Sequence, residues 1–153
     1  MPINNSNFEL GQILSKRRQF VADGVFRAEI HQFFQRALIG SGYSGLVVKK
    51  SATNLTIIVK VVNRAAATGP NGQKANEYEE LIQRRYGFPK GYIIIRFDMV
   101  LNKSLSACAQ VELLKAKMIQ KAPARSAAMF IIRNVMKIKE VKGCEVIIAG
   151  KLR

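Results

Sequence analysis

The apolar positions of the chain fall into two kinds of run, continuous and helically spaced. Leu55-Thr56-Ile57-Ile58-Val59-Lys60-Val61-Val62 is β-branched and almost unbroken, which predicts a strand covered on at least one face. Tyr92-Ile93-Ile94-Ile95-Arg96-Phe97 predicts a second. Between them, Asn63 to Thr68 has the length of a single helical turn. Ala75, Tyr78, Leu81, Ile82, Arg85 and Tyr86 then recur at the three-and-four spacing of one helix face, stopped by Gly87 and Pro89. Upstream, Val25, Phe26, Ile30, Phe33, Phe34, Ala37 and Leu38 predict a helix capped by Asp23 and ended by Gly40-Ser41-Gly42. Tyr43 to Ser51 predicts a strand, turned by Ala52-Thr53-Asn54. Beyond Val100, a helix capped by Asn102 or Ser104 is predicted through Leu105, Cys108, Ala109, Val111, Glu112, Ala116 and Ile119. Pro123 opens another through Ala127, Ala128, Ile131, Ile132, Val135 and Met136, making an alanine-rich α-hairpin. Gly143 starts Cys144-Glu145-Val146-Ile147-Ile148-Ala149, which reads as an apolar strand with no hairpin partner in sequence. It is expected to join a sheet formed with further chain or a partner molecule.

Gly69-Pro70-Asn71-Gly72 sits between the short helix and the amphipathic one. A Gly-x-x-Gly loop joining two helices, with strands on either side, is the layout of a KH module, whose loop clamps nucleotide backbone. Glycine suits that task because no side chain holds the main chain away from phosphates, and the positive end of the following helix can face an anion. The order helix, strand, strand, short helix, loop, helix, strand is that of a type II KH domain. The expected fold is therefore α+β: a three-stranded mixed sheet with helices on one face, then an α-hairpin, then one further apolar strand.

Charge adds the partner. Twenty-five Lys and Arg against ten Asp and Glu give +15 over 153 residues, an excess whose self-repulsion a polyanion offsets. The excess leans toward the C-terminal part, where only Glu112, Glu140 and Glu145 oppose the basic residues from Lys103 onward. Lys16-Arg17-Arg18 is a compact basic cluster, and Lys115, Lys117, Lys121, Arg125, Arg133, Lys137 and Lys139 fall on the outer faces of the hairpin. Nucleic acid is the leading partner and an anionic membrane surface the rival. Cys108 and Cys144 read as small residues in packed faces, and the lone His31 as a surface residue. No metal cluster, disulfide framework, paired-carboxylate motif or nucleophile setting is visible, which argues against an enzyme and against any cofactor. The start Met1-Pro2-Ile3-Asn4-Asn5-Ser6 lacks the layout of a signal peptide, and no apolar run has the length of a membrane span, so an intracellular setting is expected.

Four stretches carry a resemblance: residues Lys16 to Phe26 (KRRQFVADGVF), Gly42-Tyr43-Ser44-Gly45, Gln83 to Gly91 (QRRYGFPKG), and Lys142 to Val146 with Gly150-Lys151-Leu152-Arg153. In content and order they are similar to the S-three family of small-subunit ribosomal proteins, in its eukaryotic or archaeal form, and they span nearly the whole chain. The resemblance implies a cytoplasmic ribosomal constituent that binds ribosomal RNA in the head of the small subunit and lines the channel through which mRNA enters. It also implies neighbouring small-subunit proteins as partners, with no membrane and no homo-oligomer. The expected domains are an N-terminal extension over 1–15, an N-terminal helix and type II KH domain over 16–100, a basic α-hairpin over 101–142 and, as the resemblance implies, the start of a second α/β domain, cut short, over 143–153.

The candidate RNA contacts are Lys16, Arg17 and Arg18; Gly69, Pro70, Asn71, Gly72, Gln73 and Lys74 at the loop; Lys115, Lys117, Lys121, Arg125 and Arg133 on the hairpin; and Lys142, Lys151 and Arg153 near the end. Lys121, Arg125 and Arg133 are the candidates near mRNA. Two positions depart from the family pattern. The loop interior is Pro70-Asn71 where relatives of the eukaryotic type carry charge, and proline has no N–H for a phosphate. Arg125 is followed by Ser126 where the family has a second adjacent basic residue. The alternative to a ribosomal part is a free-standing KH-type adaptor that binds single-stranded RNA beside Gly69 to Gly72.

Overall fold

The apolar run after Asn54 is the middle strand of a three-stranded mixed sheet. In the computed structural model of the chain, residues 15–51 and 53–151 are described. Helix α1 (Lys16–Ala37) leads into β1 (Tyr43–Lys50) and β2 (Leu55–Val61); the short helix α2 (Arg64–Thr68), a tight turn over Pro70–Gly72 and α3 (Gln73–Tyr86) return the chain to β3 (Ile93–Met99). β2 lies antiparallel to β1, with Leu46 opposite Val59 and Val48 opposite Ile57. It lies parallel to β3, with Leu55 opposite Ile93 and Val59 opposite Phe97. A parallel pair needs a crossover, and here the crossover holds the glycine loop.

Alternation puts Leu55, Ile57, Val59 and Val61 of β2 and Ile93, Ile95 and Phe97 of β3 on one buried face. Phe26, Ile30 and Phe34 of α1, Ala67 of α2 and Ile82 of α3 complete that core, so the helices cover one side of the sheet. Its centre is aromatic: Phe34 meets Tyr78 at 5.7 Å and Phe97 at 6.4 Å between ring centroids, both nearly edge-on, the arrangement that ring quadrupoles favour. On the exposed edge of β3, Glu79 Oε1 accepts a hydrogen bond from the Ile95 N–H at 2.7 Å, occupying a donor that an edge strand would otherwise present.

Helix α1 starts at Lys16 and not after Asp23, which corrects the expected cap. Phe20 (81% exposed) and Val21 are exposed, so the first turns carry no stripe that a sequence reading could detect, and Val25, counted in the predicted stripe, is exposed as well. The helix runs on from its packed half through Gly24, which costs only about 1 kcal/mol. Asp23 sits within it and pairs with Lys50 at 3.6 Å. His31 is exposed, with the Tyr43 ring edge-on at 5.4 Å.

The chain divides into two compact units, the first ending at Met99 and the second beginning at Val100. In the second, α4 (Ala107–Ile119) and α5 (Ala124–Met136) form the hairpin. Ser106, rather than Asn102 or Ser104, caps α4: its side chain accepts from the Ala109 N–H at 3.4 Å. Ala109, Ala127, Ile131 and Val135 are its buried apolar side chains. Residues 141–149 form no strand, which corrects the expected start of a second sheet. A strand requires a ladder partner, and within this unit no described residue supplies one. Cys144, Val146 and Ile148 are half-buried there while Ile147 is 80% exposed. Cys108 is exposed, not packed.

Candidate nucleic-acid interface

Three basic surfaces carry the candidate residues. Lys16, Arg17 and Arg18 are all exposed in the first turn of α1, which has no acidic residue and no side-chain cap from Ser15. Cations at the positive end of a helix repel its dipole, so this cluster is one that a bound anion would relieve.

The loop between α2 and α3 is built from left-handed backbone. Gly69 has φ +70, Asn71 φ +53 and Gly72 φ +75, and Asn71 is the residue type besides glycine that tolerates this region best. Gly69 is required for a second reason, since a Cβ there would stand 2.9 Å from Lys74 Cγ. The Lys74 ammonium folds back to the Ala66 carbonyl at 3.5 Å, within the last turn of α2, so the one charge beside the loop is engaged with the protein's own main chain. Asn63 caps α2 through Oδ1, which accepts from the Ala66 N–H. α3 opens at Gly72 with no side-chain cap, leaving Gln73 exposed at its positive end. The loop thus has main-chain geometry suited to an anion, but Pro70 removes one donor and no free side-chain cation stands within it.

On the hairpin, Lys115, Lys121, Arg125 and Arg133 are exposed. Lys117 is not free: its Nζ lies 3.8 Å from the centroid of the Phe130 ring. Lys121 adopts φ +64 just after α4, where its N–H and that of Ala122 close on the carbonyls of Met118 and Lys117. That position normally takes glycine, and a lysine there costs on the order of 1 kcal/mol. A strained, charged turn residue points to function more than to folding. Lys142 and Lys151 are exposed, and Arg153 lies outside the described residues. The hairpin brings Lys117 of α4 over Phe130 of α5, and Arg133 lies three residues further along α5. Phe130 is a residue the sequence reading passed over, and its one signal was a place off the apolar stripe of α5.

Among the described residues no group of three or more His, Cys, Asp or Glu is arranged to hold a metal ion, and no helix is long and apolar enough to cross a membrane. The strongest ionisable cluster is structural. Tyr86 donates to Glu29 Oε2 at 2.5 Å, with Arg85 3.4 Å from the same oxygen. Burial first, and then that bond, hold the Tyr86 hydroxyl well above its ordinary pKa.

A mixed sheet covered on one face, crossed by a Gly-x-x-Gly turn between helices, defines a KH-type module, here followed by a basic helical hairpin. No protein-family model matches the chain. It is 40% identical over 141 residues to the small ribosomal subunit protein uS3 of Saccharomyces cerevisiae, and to the same degree and length to that of Dictyostelium discoideum. The similarity to these uS3 proteins runs through nearly the whole of this chain. The match takes in 92% of this chain and 58% and 64% of those two proteins, so the chain spans less than two thirds of either.

Proposed function

We propose that this chain is a structural, RNA-binding constituent of the small ribosomal subunit in the cytoplasm, with no chemistry of its own. The observation that carries this reading is the 40% identity to two uS3 proteins across 92% of the chain; the net charge of +15 fits it. Binding comes from Lys and Arg at phosphates, which is strong, salt-sensitive and poor in sequence information. Lys16, Arg17 and Arg18 at the bare start of α1 and the hairpin's exposed cations contact ribosomal RNA. Lys121, Arg125 and Arg133 lie where mRNA enters, holding its backbone. The glycine loop contributes little, because Pro70 offers no N–H and Lys74 is turned back onto α2. Neighbouring small-subunit proteins pack against the chain.

Sedimentation of an extract tests the whole reading: the protein is expected to travel with small subunits, and a protein found only in the soluble fraction refutes it. In ribosomes carrying Lys121→Ala with Arg125→Ala, retention of structured mRNA at the entering side is expected to fall several-fold, while assembly into subunits is unchanged. Unaltered retention removes these residues from the mRNA path. A free-standing adaptor would instead bind short single strands through the loop, and lose them when Pro70 and Asn71 become aspartates.

A further inference from the structure

The outward face of α5 holds more than charge. Arg125, Ser126, Met129, Phe130, Arg133 and Lys137 are exposed together on it, and the helix contains no acidic residue. Phe130 is 41% exposed, an uncommon placement for a large ring that has no core to fill. Lys117 reaches across from α4 to put its ammonium over this ring, and Arg133, three residues on, flanks it on the same side of the helix. A cation on one ring face leaves the exposed remainder of the ring for a planar partner, and the flanking arginine can take the phosphate beside it. Nucleobases are such partners: aromatic rings set among cations are how sequence-tolerant single-strand sites are built.

We infer that Phe130, held by Lys117 and flanked by Arg133, is a stacking site for one unpaired base of a single-stranded nucleic acid that tracks along α5. This rests on the phosphate-binding reading of the hairpin and adds to it a preference for strands whose bases are free. A double helix presents its phosphates but keeps its bases stacked on one another, so it engages Arg125 and Arg133 and not the ring.

The test compares two fluorescent probes of equal length and charge, a short oligouridylate and an abasic strand, binding to the full chain. The wild type is expected to bind the oligouridylate about tenfold more tightly than the abasic strand. Phe130→Leu is expected to erase that preference while leaving abasic affinity and the salt dependence of binding unchanged, because no charge is removed. Phe130→Trp, which keeps the ring, is expected to preserve the preference, so a loss caused by misfolding is separated from a loss of stacking. Equal binding of both probes by the wild type overturns the stacking site and leaves the phosphate reading standing. Binding of neither probe overturns both. A preference that survives in Phe130→Leu shows that another group holds the base and overturns the assignment to Phe130.

Discussion

The unit ending at Met99 and the unit beginning at Val100 put their apolar residues to different uses. In the first, three strands and three helices enclose Phe26, Phe34, Ile57, Val59, Val61, Ile82, Ile93 and Phe97, each less than 5% exposed. In the second, alanines let two helices approach closely, but Leu101, Val111, Ile119, Met129, Phe130, Met136 and Ile147 remain exposed. Apolar surface left in water is stabilisation not gained, at roughly 25 cal/mol per Å². The charge is unequal as well: α3 balances Lys74, Arg84 and Arg85 with Glu77, Glu79 and Glu80, whereas α5 opposes Arg125 and Arg133 with nothing. The first unit is shaped by its own core, the second by what it meets.

The sharpest way to break this comparison is through Phe34, which is fully buried and makes edge contacts with Phe33, Tyr78 and Phe97. Phe34→Ala is expected to destabilise the first unit by roughly 3–5 kcal/mol, measured by urea unfolding followed through tyrosine fluorescence. All four tyrosines lie in that unit, so the signal reports it alone. A loss below about 1 kcal/mol would mean that the aromatic cluster does not hold the fold together. Amide hydrogen exchange sharpens the same point with a smaller effect. The amides of Ile57 and Val59 are expected to open at least about 2 kcal/mol less readily than those in the middle of α4, whose outer side is exposed. Equal protection in both would erase the distinction between a self-sufficient unit and a dependent one.

How far this was legible in the sequence follows the same division. The strands around Ile57 and Ile95, the turn at Gly69 to Gly72 and the stop at Gly87 could be read because burial and left-handed backbone each leave a residue-type signature. The start of α1 could not, since Phe20 and Val21 are exposed and extend no buried stripe into the first turns. Residues 144–149 read as a strand because they are largely apolar with Val146, Ile147 and Ile148 β-branched, but pairing depends on a partner that composition cannot supply. Among the candidate contacts, exposure of the basic residues was readable from the helix faces. That Lys117 lies on Phe130 and Lys74 on Ala66 was not, because both depend on which helix turns come together. The strain at Lys121 was equally hidden, since lysine carries no mark of a left-handed turn.

The smallest effect separates the units by chemistry. Tyr86 joins α3 to α1 through Glu29, and its hydroxyl is held above its ordinary value, first by burial and then by the hydrogen bond to that carboxylate. A group whose folded pKa is raised favours the folded state fully at low pH, and that contribution disappears as pH climbs past the unfolded value of about 10. In the unfolded chain Tyr86 then releases a proton that the folded chain still retains, so stability falls as pH rises. Tyr86→Phe is expected to cost about 1 kcal/mol near neutrality, since one bond to a charged acceptor is lost while Arg85 still pairs with Glu29. Above about pH 10 the variant should lose stability less steeply than the wild type, and the two unfolding curves should draw together. Tyr78, raised by burial and then by Glu77, adds a residual slope of the same sign in both proteins. Because the second unit has no tyrosine, tyrosine ionisation acts on the first unit alone. Parallel stability curves for the two proteins through this range would show that the hydroxyl and Glu29 are not coupled in solution.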